Sequence, residues 1–276
     1  MKFYVENALR FERALVGIDE LAQRYGHTVF AGGSGIQGAD AIISLGGDGT
    51  MLEALHYGRL YNIPVLGINF GHVGFLTSLE KEDYLEGLEK VFANPIRTFM
   101  HGYSGLRVRI IRDGLCVRDG EAVQDVVVRA DAGHMIQLGL AAATIPVSDF
   151  YGDGLIIATP LGSTAYCLSA GGPIVYPEAD VHVLVPICHQ GLTMRPLVVP
   201  AQHDIGVAYL ANSHDDTAGL STDGCVPIRI EPNDFIEVYR SKLQMLILVP
   251  PTERSFYDLL REKYHWGGIS RKTLVV

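Results

Sequence analysis

The chain has 276 residues, 48% of them hydrophobic and 19% charged, which supplies one large core or two ordinary ones and excludes a disordered polyelectrolyte. Its 22 Lys+Arg against 31 Asp+Glu leave a net charge of −9, so overall charge attracts neither a nucleic-acid backbone nor an anionic membrane, and an anionic substrate must be met by a local site. Cys116, Cys167, Cys188 and Cys225 show no paired metal-ligand spacing, charges precede any apolar stretch at the N-terminus, and no 18 apolar residues run together; a reduced cytoplasmic protein, neither exported nor membrane-spanning, is expected.

Phe3 to Val5 reads as a strand, and Phe11, Ala14, Leu15, Ile18, Leu21, Ala22 and Tyr25 form the stripe of an amphipathic helix that Gly26 ends. His27 to Phe30 reads as a second strand. Gly33, Gly35 and Gly38 have the spacing of a dinucleotide fingerprint, but no helix follows directly and no acid stands about twenty residues on, so a loop is expected there. Ala41-Ile42-Ile43 then reads as a buried strand running into Leu45-Gly46-Gly47-Asp48-Gly49-Thr50, and Met51, Leu52, Leu55 and Leu60 predict a helix. A strand that ends in glycines and starts a helix collects bare N–H groups at a partly positive helix end, which suits phosphate oxygens. Asp48 gains nothing beside phosphates unless it holds a metal, orients a nucleophile or takes a proton; its other reading is a helix cap.

Ile63 to Ile68 reads as another buried strand, so the Gly-rich turn from Asn69 to Leu76 should share the carboxyl edge of a parallel sheet with Asp48, the edge where open α/β sheets bind ligands. The alternatives for Asn69 and Phe75 are a turn amide and a core ring. Glu82 to Phe92 predicts a charged helix. From Arg97 the period changes to two: Leu106, Val108 and Ile110 alternate, and similar runs recur at 121–129, 134–142, 154–159, 181–187, 205–210, 226–230 and 235–249, with turn signals at Asp113-Gly114 and Asp119-Gly120 and a last helix at 252–264. The expected architecture is an α/β N-terminal domain with a parallel sheet, residues 1–96 with 250–276 packing back, and a β-rich C-terminal domain, residues 97–249.

Within that second half, Tyr151-Gly152-Asp153-Gly154 leads an apolar strand to Thr159-Pro160; Gly162 turns the chain, Ser163 is positioned to cap, and a short helix runs to Gly171-Gly172. Small residues at 162–165 let a flat ring approach the backbone, and the hydroxyls of Ser163, Thr164 and Tyr166 can read heteroatoms. Asp153 by itself fits an ordinary Gly-Asp-Gly turn.

Gly46-Gly47-Asp48-Gly49-Thr50, Gly74-Phe75-Leu76, Gly152-Asp153-Gly154 with Thr159-Pro160 and Gly162-Ser163-Thr164-Ala165-Tyr166, Ser169-Ala170-Gly171-Gly172-Pro173 and Arg195-Pro196-Leu197-Val198 together resemble the NAD kinase family over nearly the whole chain. The first motif is shared with lipid kinases; the long second one is specific. The resemblance implies that Asp48 lies near the adenosine 2′-hydroxyl as catalytic base, that Gly46, Gly47, Gly49 and Thr50 bind the phosphates of ATP, and that NAD meets Asp48, Gly49, Phe75 (near the adenine), Gln124, Asp125, Asp153 (at the nicotinamide end), Thr164, Ala165 and Tyr166. Gln124-Asp125 replaces the family's usual Asn-Glu, Leu161 its Thr or Ser, and His189-Gln190 its Pro-His pair. On a strand, Asp125 shares a face with Val123 and Val127, where an unpaired carboxylate costs roughly 2 kcal/mol or more, so the ligand is a candidate partner.

The function implied is transfer of the γ-phosphoryl group of ATP to the adenosine 2′-hydroxyl of NAD, giving NADP. Mg²⁺ arrives with ATP, without a dedicated protein cage; the partners are NAD and ATP, or polyphosphate as donor, with no nucleic acid and no membrane, in a homo-oligomer. Two alternatives stand beside it: a catalytically weak NAD(H) sensor, favoured by the substitutions at 124, 125 and 161, and a lipid kinase sharing the first motif.

Overall fold

The computed structural model describes residues 1–32, 35–71, 74–131, 134–191, 193–210, 217–251 and 255–267. By its internal contacts the chain forms two units, Met1–Gly102 with Leu246–Val276, and Tyr103–Met245.

The first unit carries β1 (Lys2–Glu6), α1 (Glu12–Arg24), β2 (Thr28–Ala31), β3 (Ala41–Gly46), α2 (Asp48–Tyr61), β4 (Val65–Asn69), β5 (Leu79–Glu80) and α3 (Tyr84–Ala93). Its strands pair in parallel in the order β2-β1-β3-β4-β5. Every residue of β3 and β4 is buried, which is why they read as continuous apolar runs. Phe3, Ile18, Ile43, Leu45, Leu66, Ile68, Leu88 and Val91 share one core. Because Gly46 pairs with Asn69 at the carboxyl ends of β3 and β4, the turns that leave these two strands start side by side.

Three local expectations need correction. The buried stripe of α2 is Met51, Ala54, Leu55 and Gly58, and a β-carbon on Gly58 would lie 2.6 Å from Val65 Cγ2; the helix docks through Gly58, and Leu60, expected on the stripe, faces solvent. The helix expected from Glu82 begins at Tyr84. Of the glycine-rich segment, Gly35–Gly38 is a single 3-10 turn, while Gly33 lies outside the described residues.

The second unit is built from most of β6 (Met100–Arg112), β7 (Leu115–Ala122), β8 (Asp125–Ala130), β9 (Ile136–Ala142), β10 (Ile145–Gly152), β11 (Gly154–Ala158), α4 (Tyr166–Ser169), β12 (Val181–Ile187), β13 (Leu197–Pro200), β14 (Ile205–Leu210), β15 (Ala218–Thr222), β16 (Ile228–Ile230) and most of β17 (Phe235–Leu248). One antiparallel layer runs β10-β9-β14-β17, with β6 on β17 and β7 on β6; the other runs β13-β12-β11-β8-β15-β16. Leu138, Val207, Tyr209 and Ile236 of the first layer share a core with Val126, Val128, Leu155, Ile157 and Leu220 of the second. On its other face, the second layer buries Val127, Ile156, Val183 and Val185 with Cys167 of α4. The last residues of β17 return to the first unit, where Ile247 pairs with Val65 and α5 (Phe256–Tyr264) follows.

Asp113-Gly114 does make the β6–β7 turn, with positive φ at both residues, the geometry of a tight hairpin. Asp119-Gly120 is not a turn but lies inside β7, where Asp119 accepts from Arg107 Nε at 2.9 Å across the ladder. The run 121–129 is broken at Val123-Gln124. β10, β13 and β15 are strands beyond those the sequence predicts; Ile145 and Val147 of β10 and Leu197 and Val198 of β13 are exposed, so no inward-outward alternation marks β10 or β13. Among the described residues no helix is long and apolar enough to cross a membrane.

Candidate functional site

Asp48 is the first residue of α2, after the cap residue Gly47, which has no side chain to cap with. The capping role for Asp48 therefore falls away. Its carboxylate points out of the helix and accepts from the next turn: Phe75 N donates to Oδ2 at 3.1 Å and Leu76 N to Oδ1 at 3.0 Å. Two backbone donors hold the carboxylate in one orientation, and each oxygen keeps a second acceptor direction. Gly46 is required by close approach, since a β-carbon there would overlap the Thr50 side chain, 2.7 Å from its Cβ. Gly46, Gly47, Gly49, Thr50 and Asp48 thus form one strand-to-helix turn with the first-turn N–H groups of α2 beside an immobilised carboxylate.

Asn69 is the turn amide of the alternative reading. It is fully buried; its Oδ1 accepts from Gly71 N at 2.9 Å, and its Nδ2 donates to Glu80 Oε2 at 2.9 Å. Phe75 is half-buried, its ring stacked on Tyr264 of α5 at 4.8 Å and 17°.

In the second unit a cavity of about 1160 Å³ brings together Gln124, Asp125, Asp153, Ala165 and Tyr166 of the expected residues, with Arg129, Ser221 and Asp223 beside them. Thr164 is not among the lining residues; its hydroxyl lies 3.5 Å from Leu161 O. The strand pair β8–β11 sets the spacing. Asp125 pairs with Ala158 at one end, and Ala130 N donates to Asp153 O at 2.8 Å at the other, so Asp125 and Asp153 stand about five strand residues, or roughly 17 Å, apart. Thr159 fastens the entry to α4: its Oγ1 donates to Val123 O at 2.9 Å and accepts from Gly162 N at 3.1 Å. Ser163, expected to cap a helix and offer its hydroxyl, is fully buried, donating to Pro160 O at 2.6 Å and accepting from Val175 N at 3.0 Å. The segment is a 3-10 turn followed by four residues of α-helix, too short to present a strong helix end.

Asp125 is 4% exposed. Burial, and then the negative charge of Asp223, push its carboxyl up to about 7. Asp223 itself accepts from Val123 N at 2.7 Å, Gln124 N at 2.7 Å and Asp125 N at 3.1 Å, so it shapes the start of β8. Thr222-Asp223-Gly224 carries an Asp-Gly turn signal, but nothing in local sequence ties it to the start of β8 about a hundred residues earlier. Asp153 hydrogen-bonds the Cys188 thiol and pushes it up. No group of three or more His, Cys, Asp or Glu able to hold a metal occurs among the described residues.

Comparison with known proteins joins these observations. Residues 23–96 match the family model described as the ATP-NAD kinase N-terminal domain, and residues 124–249 that of the ATP-NAD kinase C-terminal domain. An NAD kinase of Symbiobacterium thermophilum is 38% identical over 225 residues, 81% of this chain and 78% of that protein; one of Heliobacterium modesticaldum is 38% identical over 229 residues, 83% of this chain and 79% of its own. Among solved structures, an NAD kinase from Archaeoglobus fulgidus in complex with ATP superposes with a TM-score of 0.75 at 25% identity, covering 97% of this chain and 100% of that one. Yeast NADH kinase complexed with NADH gives 0.82 at 21% identity, covering 99% and 90%, a likeness of fold.

Proposed function

The chain belongs to the NAD kinase family, and we propose that it moves the γ-phosphoryl group of ATP to the adenosine 2′-hydroxyl of NAD with Asp48 as the base. It is a phosphotransferase acting on NAD. The observation that carries the residue assignment is the carboxylate of Asp48, held by the N–H groups of Phe75 and Leu76 beside the first turn of α2. Phosphoryl transfer through a loose transition state asks the protein mainly to align the attacking oxygen and neutralise phosphate charge. Asp48 uses its remaining acceptor directions to orient the 2′-hydroxyl and take its proton, while the N–H groups of the Gly46–Thr50 turn face the donor phosphates.

The second unit holds the dinucleotide. Gln124 and Asp125 serve the adenosine ribose, Ala165 and Tyr166 line the NAD site with Thr164 preceding them in the chain, Asp153 meets the nicotinamide end, and Phe75 is the ring for the adenine. The roughly 17 Å between Asp125 and Asp153 supports this, because it matches an extended dinucleotide better than a mononucleotide. The family typically uses a divalent metal; Asp48, held at the phosphate turn, is the carboxylate that would face it, and Mg²⁺ arriving with ATP would neutralise the charge that builds up on transfer. NAD and ATP, or polyphosphate, are the proposed partners, and a homo-oligomer the proposed assembly.

The experiment is to supply ATP, Mg²⁺ and NAD and follow NADP with an NADP-specific dehydrogenase, with diacylglycerol as the competing acceptor. Turnover with NAD and none with the lipid is expected; lipid phosphorylation without NADP would overturn the reading.

A further inference from the structure

We propose that Tyr264, with Lys263 beside it, is a positioning residue for the phosphoryl-transfer step: the end of α5 clamps the turn whose backbone holds Asp48. Two contacts from successive residues converge on that turn. The Tyr264 ring lies flat on Phe75, the first of the two residues whose N–H groups hold the Asp48 carboxylate, at 4.8 Å and 17°. Lys263 Nζ lies 3.3 Å from Glu80 Oε1, both largely buried, and Glu80 in turn accepts from Asn69, which accepts from Gly71 N. One contact presses the far end of the 69–76 turn and the other ties its base.

The turn needs such support. It carries glycine at 71 and 74, where the backbone is least self-restrained, and a β-carbon on Gly74 would overlap the Asn69 amide and lie 2.7 Å from Thr77 Oγ1, so the backbone at Gly74 depends on close packing against Asn69 and Thr77. The Tyr264 phenol is pushed up by burial and then by the charge of Asp48, as expected for a ring close to that carboxylate. The clamping helix is itself anchored, since Ser255 and Asp258 form a reciprocal capping box at the start of α5 and Leu260 is buried, which fixes the helix whose last turn bears Lys263 and Tyr264.

The proposal rests on Asp48 being the base, and its test separates the two. Tyr264→Ala should speed amide hydrogen exchange at Phe75 and Leu76 while exchange in β3 stays unchanged. It should lower kcat about tenfold or more, since a misplacement of about 1 Å can cost a hundredfold, with KM for NAD within about threefold and thermal unfolding nearly unchanged; such a split marks an interaction used in the transition state. Tyr264→Phe, which keeps the stacked ring, should restore both readouts. In an Asp48→Asn background, Tyr264→Ala should cost less than about twofold more, as expected of residues acting as a unit. Unchanged exchange at 75 and 76, or faster exchange with wild-type kcat, overturns the clamp. If Asp48→Asn alone keeps kcat, the base assignment fails, and the exchange result by itself then decides whether Tyr264 holds the turn.

Discussion

Asp48 accepts two backbone N–H groups, and this makes its replacement informative. Asparagine in its place keeps one acceptor oxygen, turns an amide nitrogen toward one of those N–H groups, and cannot take a proton at neutral pH. Asp48→Asn should therefore lose about 1–3 kcal/mol of stability but about 10² to 10⁴ in kcat at saturating NAD and ATP; a kcat loss below about threefold, with the fold confirmed by circular dichroism, returns Asp48 to a structural role. Asp153→Ala should weaken NAD about ten- to a hundredfold and ATP little, measured by calorimetric titration; equal losses for both ligands contradict the nicotinamide-end assignment. Asp125 gives a pH test. A folded-state value of about 7 against the ordinary 3.8 means the folded chain binds the proton more tightly, so stability is highest below the ordinary value and falls as pH rises through about 7, by up to about 4 kcal/mol. Asp125→Asn, a neutral isostere, should raise the Tm of the ligand-free protein at pH 8 and leave it nearly unchanged at pH 4. An equal shift at both pH values contradicts the reading.

Elements differed in how legible they were. β3 and β4 read correctly because a parallel strand buried on both faces is a continuous apolar run, and β9 and β14 because their burial alternates strictly. β10 and β13 failed because most of their apolar side chains face solvent, only Phe150 and Val199 being buried, which removes the signal that alternation depends on. Asp119-Gly120 misled for another reason: a dipeptide that favours turns was held in β7 by the Arg107 ion pair across the ladder. The start of β17 offers an element-scale prediction. Asp234 is fully buried and accepts from Arg112 Nε and Nη2, each at 2.8 Å, and from Glu231 N at 2.7 Å, which ties the end of β6 to the turn before β17. Burial alone would push this carboxyl up, but the bonds to Arg112 and Glu231 outweigh it and hold it below the ordinary range. Its stabilisation is thus present above the ordinary carboxylate range and lost as pH falls beneath it. Asp234→Ala should cost about 3 kcal/mol by urea denaturation near neutral pH, and a loss under about 0.5 kcal/mol would show the tie to be an ordinary surface ion pair.

For the whole molecule, the readable part was what local sequence encodes. A glycine-rich turn between a buried strand and a helix is legible as a candidate phosphate cradle, and Gly152-Asp153-Gly154 with the 159–166 segment as a place where a flat ring can approach the backbone. Unreadable were the contacts that make these turns work, because they join distant residues: Asp48 with Phe75 and Leu76, Phe75 with Tyr264, Asp223 with the start of β8. Chain order also hides that the segment from Leu246 onward returns to the first unit, where Ser78 Oγ donates to Leu248 O at 2.6 Å. The proposed reaction moves a phosphoryl group from ATP to the adenosine 2′-oxygen of NAD. The most direct measurement is ³¹P NMR of the protein incubated with NAD, ATP and Mg²⁺, calibrated against ADP release. One new phosphomonoester signal, that of the 2′-phosphate of NADP, should grow in equal amount with ADP; ADP formed without that signal, or a phosphate on any other hydroxyl of NAD, would contradict the proposed reaction.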